Sequence, residues 1–142
     1  MKEKIYLIQM VEIVFMALGT WFDIKSKELP LIYLFCFGMA SVVCNLLFQY
    51  QKIGEIVLGA GIGVLISFLS WITNEAIGYG DAIGIMILGS FQGLQEIFLT
   101  VFAAFALSGI YGLGKVLLKR ASRKDTLAFF PFLFLAMIGR IV

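Results

Sequence analysis

Asp81 stands in Gly78-Tyr79-Gly80-Asp81, where a polar turn meets the apolar run Ala82 to Leu88. A charged side chain at mid-bilayer costs about 3 kcal/mol on insertion scales and usually marks function. The flanking glycines remove side-chain bulk, so another backbone can come close to the acid. A second carboxylate, Asp23, closes the first apolar run of the chain. Two aspartates a few ångströms apart do not both ionise easily and share a proton. One then takes a proton from water while the other acts as acid toward a carbonyl or a leaving amine. That chemistry hydrolyses a peptide bond with no metal, histidine or nucleophilic side chain. The plainer reading makes Asp81 a helix-start acid favoured by the macrodipole.

What must position these acids is set by composition. The chain is 61% hydrophobic and only 14% charged, with a mean hydropathy of +1.01. Soluble domains average about 45–50% apolar and about 25% charged, so this is an integral membrane protein in contact with a lipid bilayer. Two prolines and the absence of any low-complexity run leave no linker, so residues 1–142 read as a single domain. The basic residues cluster at the ends of apolar runs, which is membrane topology and not nucleic-acid binding. Histidine is absent, which removes the commonest general base and metal ligand. Cys36 and Cys44 lie in an apolar run without a paired Cys-x-x-Cys, so buried thiols are expected, with no zinc site, disulfide or other cofactor.

Hydropathy divides the chain into spans at 5–22, 31–48, 53–73, 81–91, 97–113 and 127–142. The fold class is an all-α membrane protein, a polytopic bundle of about six transmembrane helices. On a helix, Gln9, Glu12, Met16, Gly19 and Asp23 share one stripe. That stripe should face the protein interior, because lipid leaves polar groups unsatisfied. Glu12 lies about 16 Å along the helix from Asp23. The stretch Asp23 to Pro30 reads as a polar loop, with Pro30 suited to the first turn of the next helix. Gly59, Gly63 and Ser67 form a small-residue stripe for close helix packing, as do Ala104, Ser108 and Gly112. Six spans place Lys25, Lys27, Lys115, Lys119, Arg120, Arg123 and Lys124 on one side, against Lys2, Lys4, Lys52 and Arg140 on the other. The positive-inside rule makes the first side cytoplasmic. Asp23 and Asp81 both fall on it, at similar depth.

Three segments carry a family resemblance. Glu75-Ala76-Ile77-Gly78-Tyr79-Gly80-Asp81 resembles the second aspartate stretch of the prepilin peptidases, the GxGD-type membrane aspartic proteases. Asp23-Ile24-Lys25-Ser26-Lys27-Glu28-Leu29-Pro30 resembles that family's first aspartate signature, and Phe130-Pro131-Phe132 its Pro-Phe segment. Leu31 stands where the family often has Asn, and Ile83 where it commonly has Lys. The resemblance implies an aspartic endopeptidase of a prokaryotic plasma membrane. It would cleave the short basic leaders of type IV prepilin-like precursors at the cytoplasmic face, with Asp23 and Asp81 as the catalytic pair. Gly78, Tyr79, Gly80, Lys25, Lys27, Glu28, Pro30 and Glu75 are then candidates for substrate binding or motif support. Larger members carry an N-terminal cysteine-containing region associated with N-methylation. The segment before Asp23 has no counterpart to it, so neither methyltransferase activity nor a need for S-adenosylmethionine is expected. Two other readings stand beside this one: a small proton-coupled transporter using Glu12, and a non-catalytic pilus or secretion assembly subunit on the same fold. The oligomeric state is not legible in the sequence.

Overall fold

The structure is a computed structural model, and it describes residues 2–26, 29–49, 51–73, 79–118 and 129–141. These form six helices: α1 (Lys2–Ser26), α2 (Leu31–Phe48), α3 (Ile53–Ile72), α4 (Tyr79–Gln92), α5 (Leu94–Leu117) and α6 (Phe130–Ile141). There is no strand among the described residues. The all-α bundle expected from hydropathy is what forms. Four helices, α1, α2, α3 and α5, are long and apolar enough to cross a membrane. The other two are shorter, α4 with 14 residues and α6 with 12. At about 1.5 Å per residue neither matches a hydrocarbon core of about 30 Å.

The helices differ from the expected spans chiefly at their ends. The first runs on through Asp23, Ile24 and Lys25 to Ser26, where a polar loop was expected. No helix breaker occurs before Pro30, and the Ser26 hydroxyl donates back to the Phe22 carbonyl at 2.9 Å. Asp23 consequently has the fixed direction of a helical side chain. Pro30 does open α2: it sits at the N-cap with φ −62°, and its carbonyl accepts the Leu34 N–H.

α4 is the hub, packed tightly against α3, beside α2 and α5, and only lightly touching α1. Ala82, Gly84, Ile85, Ile87, Leu88, Gly89, Phe91 and Gln92 are all buried along it. Its tightest partner is α3. A Cβ at Gly59 would strike the Gly89 carbonyl oxygen, and one at Gly63 would lie 2.5 Å from the Met86 Cα. Gly59 and Gly63 thus do what small residues at that spacing do in membranes, letting two backbones touch. α4 ends at Gly93, whose φ of +83° is a left-handed conformation cheap only for glycine. That one residue turns the chain into α5.

On the outside, Leu31, Ile32, Leu46, Leu47, Phe98, Phe102 and Ile110 are exposed. A soluble protein rarely shows so continuous an apolar surface; around a membrane bundle it is the surface that meets lipid.

Candidate active site

The expected polar stripe of α1 is the face it buries. Glu12, Met16, Gly19 and Asp23 are all buried, and Gln9 is half-buried. Asp23 is only 5% exposed, so its carboxylate needs partners. The Phe130 backbone N–H donates to its Oδ2 at 3.0 Å. This donor is the first residue of α6, where backbone N–H groups have no partner within the helix.

Asp81 lies in the first turn of α4 and is half-buried. The packing around Phe130 brings the helix faces that carry Asp23 and Asp81 against one ring. A Cβ at Gly19 would lie 2.7 Å from Phe130 Cδ1, and one at Gly84 would lie 2.5 Å from Phe130 Cε2. Opposite edges of one ring therefore rest on α1 and α4. Gly19 is four residues from Asp23 and Gly84 three from Asp81, so each glycine shares a helix face with its acid. The ring is completely buried and meets the Phe15 ring edge-on at 5.9 Å between centroids. The Tyr33 hydroxyl donates to the Phe15 carbonyl, which ties α2 into the same cluster.

The other residues singled out in the sequence fall in different places. Gly80 is half-buried, and a Cβ there would meet Leu29 side-chain atoms at 3.4–3.7 Å, an ordinary contact. Leu29 of the first aspartate segment thus touches Gly80 of the second. The expected backbone approach at this glycine is a side-chain contact. Lys25, Pro30 and Tyr79 are exposed. Lys27, Glu28, Glu75 and Gly78 lie outside the described residues.

A second polar cluster, not anticipated from sequence beyond Glu12 itself, lies at the far end of α4. Glu12 is 3% exposed; Gln92 donates to its Oε2 at 3.2 Å. The Thr100 hydroxyl is 3.2 Å from Gln92 Oε1 and 2.9 Å from the Glu96 carbonyl. Arg140, near the end of α6, pairs with Glu96 and lies 3.9 Å from Glu12 Oε2. One guanidinium therefore serves two carboxylates. The sequence signal for this cluster was slight: one cation near a helix end and the polar run Gln92 to Glu96.

No group of three or more metal-ligating side chains occurs among the described residues. An apolar groove of ≈ 340 Å³, lined among others by Leu34, Phe35, Gly38, Met39, Ile83 and Ile87, runs beside α4 from just past Asp81.

Residues 10–113 match the model of the type IV leader peptidase family. The prepilin leader peptidase/N-methyltransferase of Aeromonas salmonicida strain A449 is 28% identical over 123 residues, and that of Aeromonas hydrophila is 26% identical over 123 residues. In both cases the match covers 82% of this chain and 42% of the relative. The chain thus spans less than half the length of these relatives. No solved structure matches.

Proposed function

This chain belongs to the type IV leader peptidase family, and from that premise we propose that it is a membrane aspartic endopeptidase whose working groups are Asp23 and Asp81. The observation that carries the reading is that the helix faces bearing these two acids both rest on the Phe130 ring, whose own backbone N–H holds Asp23. One carboxylate removes a proton from water as the water oxygen attacks the scissile carbonyl carbon. The other, in its protonated form, gives its proton to the amide nitrogen as the C–N bond breaks. The products are a new carboxyl terminus and a new amine. The first aspartate now holds the proton that the second has lost, and one proton transfer between them restores the pair.

The substrates are prepilin-like precursors with short basic leaders, and cleavage takes place at the cytoplasmic face of a prokaryotic plasma membrane. The distribution of basic residues supports that orientation. The apolar groove beginning just past Asp81 supports a peptide lying along α4. Peptide cleavage alone is proposed for this chain; the methyl transfer in the relatives' names is theirs.

Glu12 speaks against transport as the main role. It is engaged by Gln92 and Arg140, as a structural carboxylate would be. The test is co-expression with pilin-like precursors, scored by appearance of the leader-shortened product. Wild-type protein should yield product, and Asp23→Asn and Asp81→Asn should yield none at matched membrane levels. Normal processing by either variant would refute the proposal.

A further inference from the structure

Phe130 is placed to do more than fill space. α1 and α4 scarcely touch one another directly. Near the aspartates, what stands between them is the Phe130 ring, one edge against Gly19 and the other against Gly84. Each glycine lies about one turn from its aspartate. The width of the ring therefore sets the separation of the two helices close to the carboxylates. The same residue holds Asp23 directly, through its backbone N–H to Oδ2 at 3.0 Å. α6 is also held at its other end, where Arg140 joins Glu12 of α1 and Glu96 of α5. The ring is thus carried on a helix pinned at both ends.

We propose that Phe130 is a positioning residue: its ring, fitted between Gly19 and Gly84, fixes the distance between Asp23 and Asp81, and its N–H fixes the direction of Asp23. This rests on Asp23 and Asp81 being the working pair. Simple core packing would make loss of Phe130 a loss of folded protein. A spacer has a different signature, because a misplacement of about 1 Å can cost about a hundredfold in rate without loss of the fold.

The fit between ring and glycine supplies the test. Phe130→Leu removes the ring atoms that face Gly84. Gly84→Ala puts a methyl group where those atoms now lie, 2.5 Å from Cε2 and 2.7 Å from Cζ. Each single variant should lower kcat by about a hundredfold per folded molecule and leave KM within about threefold. The double variant Phe130→Leu/Gly84→Ala returns volume where it was removed and should recover to within about tenfold of wild type. A second readout needs no catalysis. With Cys36 and Cys44 replaced by alanine, the rate of disulfide formation in an Asp23→Cys/Asp81→Cys protein reports the gap directly. It should change in each single background and revert in the double one. Wild-type kcat and cross-linking in Phe130→Leu would overturn the proposal. So would a double variant no better than the worse single variant. If Asp23→Asn cleaves normally, the proteolytic reading falls, while the cross-linking series still decides whether Phe130 sets the gap.

Discussion

α1 and α4 run antiparallel, and a polar site lies toward each end of the pair. Asp23 and Asp81 lie toward one end, on either side of Phe130; eleven residues along each helix, Glu12 and Gln92 meet at the other. Both sites are built from carboxylates in an apolar bundle, yet they are resolved differently. At the Glu12 end, one guanidinium lies between two carboxylates, with an amide and a hydroxyl completing the network. At the Asp23 end, a backbone N–H orients one carboxylate, and the second stands across the same ring. A cation shared between acids, with hydrogen-bonding neighbours, holds helices together. On the proposed reading, two close carboxylates share a proton that can be moved. The same residue chemistry thus serves architecture at one end and, on the proposed reading, catalysis at the other.

Several changes break or sharpen this contrast. The largest effect is expected from the aspartates. Asp23→Asn and Asp81→Asn should each lower cleavage by at least about a thousandfold, and the double variant should be little worse than either single one, because the pair acts as a unit. Rates measured on purified protein at matched folded concentration check this. At the opposite end the expected loss is of stability. Arg140→Met leaves Glu12 buried without its cation and should cost about 3 kcal/mol in denaturant unfolding in micelles. Adding Glu12→Gln to that variant should recover more than half, because the uncompensated buried charge is gone. Gly59→Ala, which drives a methyl group into the Gly89 carbonyl, should cost about 1–3 kcal/mol by the same measurement, as overpacking does. Smallest of all, Gly80→Ala meets Leu29 at ordinary contact distance and should shift stability by less than about 0.5 kcal/mol.

Much of the helical framework could be read from hydropathy, and the reasons are local. The polar stripe of α1 followed from helical periodicity, and burial of Glu12, Gly19 and Asp23 follows that face. The packing role of Gly59 and Gly63 was legible because closely packed membrane helices use small residues at that spacing. Asp23 to Ser26 read as loop because they are polar, yet nothing in them breaks a helix. What escaped was long-range. Phe130 reaches Asp23 across 107 positions, and Gln92 reaches Glu12 across 80. Gly84 gave no sign beyond being a glycine one turn from an aspartate. Its value depends on a ring supplied by another helix.

The contrast between the two ends is tested most directly by one pair of rates. Purified Asp81→Asn and Glu12→Gln proteins, reconstituted in lipid vesicles, are given the same prepilin-like precursor, and product is counted per folded molecule by mass spectrometry. Asp81→Asn should form no product above the uncatalysed background, while Glu12→Gln should stay within about tenfold of wild type, as expected for a group outside the acid–base pair. Cleavage by Asp81→Asn at the wild-type rate, or its abolition in Glu12→Gln alone, would contradict the assignment of chemistry to the Asp23–Asp81 end.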